Sequence, residues 1–389
     1  MQRIGRSAKV GERELRIGFV DFHKTFNPVF NHLTLALRED FPIAVAEISK
    51  GEIPDYLFFS VFGPDGVLFS DHTNASHLSE RYAECIKIFV CEENIRSPWH
   101  ECDYAITSDR LMTPDCRHLR LPIYARHLKH CEDHTGKTLI KPTNLVPKNV
   151  LASKTRFCNF IYSNAKAKER ILFFEILSKY KRVDSGGSLM NNMGGIRVSD
   201  KPRFLEDYKF TIAFENSRQP GYVSEKLVEP MVAGSLPIYW GCREVVEDFN
   251  PFSFVCANEP EGSGNVELAH HFEQVIRKVI WLDTHDDDYM AMMTEPWFHD
   301  NVPNEYCKPR YTHEFMRRIF TTPKACLPSR PKPPAEQPLS IAKRSWADEI
   351  ASIEASSLSK SPPSPMPSQP RGWSWADHLP PSRSPDVKR

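Results

Sequence analysis

A chain of 389 residues and 44.7 kDa is long enough for one large core or two ordinary ones. With 40% hydrophobic and 26% charged residues it belongs to the globular class, and 50 basic residues cancel 50 acidic ones, so no global field draws in nucleic acid and anion binding must be local. Apolar runs fall short of the roughly 20 residues that span a bilayer, and ten cysteines without a CxxC pair follow the polar start MQRIGRSAKVGERELR; a reducing cytoplasm, no signal peptide and free, mostly buried thiols are expected.

RIGFVDF (Arg16 to Phe22) reads as the first strand and Asn27 to Leu37 as the first helix. Short apolar runs at Pro42 to Ile48 and Tyr56 to Phe62 alternate with turns, the pattern of an α/β chain with parallel strands. In IKIFVCEEN a strand (Ile86 to Val90) runs into Glu92, Glu93 and Asn94. Adjacent carboxylates on an extended strand point to opposite sides, so only one of the pair is expected to face a cleft. His127, His130, Cys131 and His134 would stack on one helical face, but they adjoin a linker (135–149) and no second ligand pair follows at zinc spacing, so no metal is assigned there.

Phe157 to Tyr162 reads as a strand and Ser163 to Tyr180 as a helix with Ile171, Phe174 and Leu177 on its core side. Lys166, Lys168 and Arg170 crowd its first turns. Free N–H groups and the helix dipole there suit a phosphate, and a planar guanidinium can grip two oxygens at once, which favours Arg170 over the lysines. RVDSGG (Arg182 to Gly187) follows as strand and glycine turn, without a GxGxxG. The richest stretch is KFTIAFENSRQPGYVSEKLVEPMVAGSLPIYWG (Lys209 to Gly241). Phe210, Ile212 and Phe214 alternate as in a half-buried strand; Glu215 to Gln219 form a polar loop; Leu227, Val228, Met231 and Val232 give a helix face that Gly234 can end. Pro230 falls inside that helix, and a kink or break near Lys226 is expected. Further on, Phe252 to Ala257 reads as a strand and Val266 to Ile280 as a helix, and Asp286 to Asp288 read as the cap of the helix after it rather than as a metal site.

Beyond about Cys326 the chain turns to Pro and Ser, and disorder is expected. RSWADEI (Arg344 to Ile350) returns as WSWADHL (Trp373 to Leu379). Such a pair is either a binding motif, an amphipathic contact with a membrane surface, or a duplicated segment without a role.

In order and spacing, FENS, GYVSEK and AGSLPIYWG closely resemble the signature of the α-1,3-fucosyltransferases, and PDYLFFSVFG, DYAITSDRL and RLPIYA resemble further segments of that family. The resemblance implies a GT-B α/β fold: two Rossmann-like domains facing a cleft, with 1–145 holding the acceptor, 146–326 holding GDP-fucose, and 327–389 as a disordered tail. It implies an inverting transfer of L-fucose to the 3-OH of a GlcNAc or Glc unit in a glycan such as N-acetyllactosamine, and resemblance to the bacterial rather than the membrane-anchored Golgi members. The family's Gly-Glu-Asn segment falls on Glu93, the general base by resemblance, although Glu92 stays an alternative. Glu225 is the carboxylate that would stabilise developing positive charge. Arg170, Asn216, Tyr222, Glu225 and Lys226 are the donor-binding set, with Arg170 and Lys226 on the diphosphate. Asp109 and Arg110 read as structural. No metal is required, with stimulation by manganese or magnesium left open. Other readings on the same residues are a transferase of the same fold with another nucleotide sugar or acceptor linkage, and a non-catalytic sugar-nucleotide-binding adaptor. The expected location is cytoplasmic, with peripheral membrane contact through the tail as one option.

Overall fold

The computed structural model describes residues 14–31, 33–34, 37–38, 41–63, 75–111, 115–125, 140–142, 144–259 and 265–332. Residues 333–389 with both SWAD copies, the His127 to His134 cluster, and residues 135–139 and 143 of the linker lie outside them. Among the described residues, eleven strands form two wholly parallel sheets. The first holds β1 (Leu15–Val20), β2 (Ile43–Val45), β3 (Tyr56–Phe59), β4 (Ile86–Val90), β5 (Tyr104–Thr107) and β6 (His118–Arg120) in the order β2-β1-β3-β4-β5-β6. The second holds β7 (Arg156–Phe160), β8 (Val183–Ser185), β9 (Tyr208–Phe214), β10 (Leu236–Trp240) and β11 (Val255–Cys256) in the order β11-β10-β9-β7-β8. The α/β reading with two parallel sheets therefore holds.

The sheets are covered on both faces, as parallel sheets are. Phe58, Ile88 and Ile106 face one core of the first sheet while Leu57, Phe59 and Phe89 face the other. Strand β9, expected to be half buried, is buried along nearly its whole length: Phe210, Ile212 and Phe214 enter one core and Ala213 the opposite one. The helices wholly within the described residues are α1 (Pro147–Ser153), α2 (Lys168–Ser178), α3 (Lys201–Glu206), α4 (Glu225–Val232), α5 (Val245–Asp248), α6 (Asn265–Thr284), α7 (Asp286–Thr294) and α8 (Pro309–Thr321). Although α8 lies in the stretch that sequence assigns to the second half, its Phe315, Met316 and Ile319 join the core of the first sheet.

Several local expectations are corrected. The helix starts later than expected: residues 28–31 are bends, and the Asn31 side chain, which accepts from the N–H groups of Leu33 and Thr34, precedes the helical residues, which among the described ones are 33–34 and 37–38. Helix α2 begins at Lys168, five residues later than expected, and buries Phe173, Phe174 and Leu177, while Ile171 is only half buried. Asp286 to Asp288 occupy the first turn of α7, where His285 is the cap residue; acidic side chains there complement the helix dipole. Helix α4 is unbroken through Pro230. Pro230 is buried, the only backbone bond it forfeits is the one to Lys226 in a two-turn helix, and the end is closed by Ala233 N–H to Glu229 O (2.9 Å), Gly234 N–H to Met231 O (3.1 Å) and Ser235 N–H to Pro230 O (2.8 Å). Gly234 there has φ +69°, the left-handed geometry that ends helices.

Each sheet changes winding direction once. In the first, β1 is followed by β2 on one side and β3 on the other; in the second, β7 is followed by β8 on one side and β9 on the other. In open α/β sheets such switch points open crevices beyond the carboxyl ends of the strands. The loops beyond those ends touch across the molecule. Asp248 accepts from Arg120 (2.6 Å) and Arg110 (2.8 Å), Arg120 also donates to Gly221 O (3.2 Å), and Gln219 donates to Asp109 (3.2 Å). Asp109 and Arg110 are thus structural ties, as read. Gly221 (φ +85°) is required at this seam, since a Cβ would sit 2.3 Å from Ser108 O.

Candidate functional site

One cavity of about 250 Å³ opens at the β7/β9 switch point. It is lined by the chain leaving β7 (Tyr162, Ser163, Asn164), by Arg170 from α2, by Asn216 beyond β9, and by Glu225 and Lys226 from the first turn of α4. Four of the five expected donor-binding residues therefore share one wall.

Arg170 is 1% exposed and lies over the Tyr162 ring at 4.0 Å. It donates to Phe214 O (3.0 Å) and Asn216 Oδ1 (2.7 Å), which fixes the guanidinium beside the end of β9. Burial lowers its pKa from the ordinary value. Helix α4 starts where it does because Ser224 caps it, accepting from Lys226 N–H. The Lys226 ammonium lies 3.1 Å from Glu225, 3.2 Å from Ser224 Oγ and 3.6 Å from Glu215. Burial works against its charge, but the carboxylates of Glu215 and Glu225 outweigh that and raise its pKa; burial likewise opposes ionisation of Glu225, and Lys226 overrides it and lowers that pKa.

Glu215 was not singled out from sequence, where a Glu beside Asn, Ser, Arg and Gln reads as a solvated loop charge. It is fully buried, accepts from Ser224 N–H (2.7 Å) and Ser224 Oγ–H (2.6 Å), and burial raises its pKa. It fastens the end of β9 to the cap of α4, and so sets where Lys226 stands. Arg218 braces the neighbouring edge: its guanidinium lies over Trp240 at 4.5 Å and pairs with Glu259 (2.8 Å). Burial opposes ionisation of Glu259, but the Arg218 bonds prevail and hold it at about 2.

Tyr222, the fifth expected donor residue, is 4% exposed and does not line this cavity. Burial pushes its phenol above the ordinary value, and the carboxylates of Glu215, Glu93 and Glu225 add to the rise.

Glu93 lines a second cavity, of about 280 Å³, at the β1/β3 switch point. Its wall comes from the chain leaving β1 (Phe22, His23, Phe26), from Phe62 beyond β3, and from both Glu92 and Glu93 beyond β4. The expectation that only one carboxylate could face a cleft is overturned: β4 ends at Val90, residues 91–94 are irregular, and the alternation of an extended strand no longer applies. Among the described residues no cluster of three or more His, Cys, Asp or Glu is arranged to hold a metal ion, and no helix is long and apolar enough to cross a membrane. The nine described cysteines form no disulfide with one another.

Comparison with known proteins bears on both halves. Residues 17–127 match the family model of the alpha-(1,3)-fucosyltransferase FucT N-terminal domain, and residues 151–290 match that of the glycosyltransferase family 10 (fucosyltransferase) C-terminal region. The alpha-(1,3)-fucosyltransferase FucT of Helicobacter pylori is 32% identical over 238 residues, covering 55% of this chain and 48% of that protein. GDP-fucose protein O-fucosyltransferase 3 of Xenopus laevis is 28% identical over 49% of this chain and 40% of its own. The chain thus spans about half, or less, of the length of these curated relatives. A crystal structure of an alpha1,3-fucosyltransferase superimposes with TM-score 0.62 at 25% identity, covering 82% of this chain and 93% of that one.

Proposed function

The chain belongs to glycosyltransferase family 10, the fucosyltransferases, and from that premise we propose that it moves L-fucose from GDP-fucose to the 3-OH of a GlcNAc or Glc unit of an acceptor such as N-acetyllactosamine, with inversion. The observation that supports this most is the complementarity of the two cavities: a buried cation pair at the switch point of one parallel sheet, a carboxylate pair at that of the other, and loops beyond the two sheets in contact.

Arg170 and Lys226 hold the diphosphate, with Asn216 orienting Arg170. Both cations are held by buried partners before a ligand arrives, so little reorganisation is needed as charge builds on the leaving group. The acceptor sugar enters the cavity beside Glu93. As its hydroxyl oxygen bonds to the fucose anomeric carbon, the hydroxyl proton passes to the Glu93 carboxylate, and the bond to the diphosphate breaks on the opposite face. GDP leaves with the bonding electron pair. Glu225 faces the positive charge that develops on the fucose ring. No metal is assigned a step, and turnover is expected to survive dialysis against EDTA. Incubation with GDP-fucose and N-acetyllactosamine is the test: a trisaccharide formed one for one with GDP is the expected outcome, while GDP release independent of acceptor would sink the reading.

A further inference from the structure

We propose that Asp21 and His77 are positioning residues for the acceptor: joined as one buried unit, they set the chain leaving β1 so that Phe22, His23 and Phe62 form the wall of the cavity that Glu93 lines. This rests on reading that cavity as the acceptor site.

Strand β1 ends at Val20, and the next residue, Asp21, takes a left-handed turn with φ +60°. That conformation is uncommon for any residue but glycine, and where it occurs the surroundings must hold it. The Asp21 side chain is only 1% exposed and is held from several directions. Its Oδ1 accepts from Ser76 N–H (3.0 Å), and its Oδ2 accepts from His77 N–H (2.9 Å) and lies 2.7 Å from His77 Nδ1. His77 is itself fully buried. Its Nε2 lies 3.0 Å from Glu101, its ring stacks on Phe59 at 3.9 Å, and its carbonyl accepts from the Lys87 ammonium at 2.6 Å. The unit therefore ties β1 to Phe59 of β3 and Lys87 of β4.

The residues just beyond β1 and β3 are the cavity wall. Phe22 and Phe26 stack with centroids 4.1 Å apart, and His23 meets the Phe62 ring edge-on at 5.4 Å. Rings of this kind pack against the apolar face of a sugar. The turn at Asp21 decides where Phe22 and His23 go, and the Asp21 carbonyl, accepting from Phe62 N–H at 2.9 Å, decides where Phe62 stands. Neither Asp21 nor His77 lines the cavity, so both act through the rings that do. Stability alone does not account for such a unit, because the cost of burying charges offsets their attraction and apolar residues of the same volume serve as well. What it supplies is one fixed geometry where the wall begins.

Kinetic constants separate positioning from stability. Asp21→Gly keeps the left-handed turn accessible and removes the pin; it should raise KM for N-acetyllactosamine by about 10-fold or more, with KM for GDP-fucose and Kd for GDP, the latter by calorimetry, within about 2-fold of the wild type. Asp21→Asn, which keeps shape and turn but not charge, should fall between. His77→Ala should match Asp21→Gly, and the double variant should be no worse than either, because the two act as one unit. Should the variants fail to fold, the wild-type chain still decides. Acceptor binding should slow hydrogen exchange at the amides of Phe62, Ser76 and His77, which donate to Asp21, and GDP should not. Equal shifts in donor and acceptor constants, no shift in either, or amides slowed equally by both ligands would overturn the positioning role while leaving fucosyl transfer standing. N-acetyllactosamine that binds, more weakly in Asp21→Gly, but is never fucosylated would keep the positioning role and refute the proposed reaction. An acceptor that does not bind the wild-type chain at all would refute both.

Discussion

The two cavities occupy equivalent places in their sheets and are built in opposite ways. At the β7/β9 switch point the functional groups are locked by one another: Arg170 between Tyr162, Phe214 and Asn216, and Lys226 between Glu215, Ser224 and Glu225. At the β1/β3 switch point the wall is a set of aromatic rings, with two glutamates on an irregular segment. A diphosphate is an invariant ligand, and pre-set charges suit it, since charge that need not reorganise stabilises a leaving group best. A sugar acceptor is bound through faces and hydroxyls, and aromatic surface tolerates its variation. On the proposed reaction, the difference assigns donor affinity and leaving-group stabilisation to one cavity, and the general base and acceptor choice to the other.

Substitutions can break that division of labour, and the largest effect belongs to Glu93. Glu93→Gln should lower kcat by about 10²-fold or more while leaving GDP-fucose affinity, measured by calorimetry, unchanged; normal turnover would remove it as the base. Next come the cations. Lys226→Ala should weaken GDP binding by about 10- to 100-fold, the worth of a charge-assisted contact, with little change in acceptor Kd. Arg170→Lys should not rescue, because an ammonium cannot stack on Tyr162 and bond both Phe214 O and Asn216 as the planar fork does. A milder loss, about 10-fold in kcat/KM for donor, is expected in Glu215→Gln: the amide keeps an oxygen for Ser224 N–H but removes the charge that places Lys226. If Glu215 were merely part of the core, Tm would fall and donor KM would not move.

The smallest effect separates the two halves by acid. Burial holds the His118 imidazole, bonded to Thr107, down at about 4. Between about 6.5 and 4 the unfolded chain binds a proton that the fold does not, so stability falls on acidification across that window. Glu259, held at about 2 in the second half, supplies stability that is present above the ordinary carboxylate range and is lost only as pH falls from about 4 toward 2. Hydrogen exchange at pH 5 should therefore loosen β5 and β6 before β9 and β10, and His118→Asn should remove that order.

The site on the second sheet was the more legible in the sequence because its groups are close in the chain. Asn216, Glu225 and Lys226 fall within eleven residues, and strand, turn, cap and helix signals place them. Arg170 could be read from its position near a helix start even though that helix begins later than periodicity suggests. Glu215 was missed because nothing in a polar run tells a buried carboxylate from a solvated one; only the turn that returns Ser224 to the end of β9 buries it. The second cavity was barely legible. Phe22, Phe26 and Phe62 look like core residues, and they meet Glu93 only because three strand ends converge at a switch point. The inference that Glu92 and Glu93 diverge failed on a strand end, where a difference of one or two residues decides whether side chains alternate. Pro230 shows the same limit for helices, since the loss of one bond near the start of a short, buried helix does not break it.

The most direct test is the stereochemistry of the product. GDP-β-L-fucose and N-acetyllactosamine are incubated with the chain, and the anomeric signal of the new fucosyl linkage is read by proton NMR. Base and leaving group on opposite faces of the sugar require an α-linked fucose, and the proposed acceptor puts it on the 3-OH of GlcNAc, with one GDP per bond formed. A β-linked product, or GDP formed without a new glycosidic bond, would contradict it.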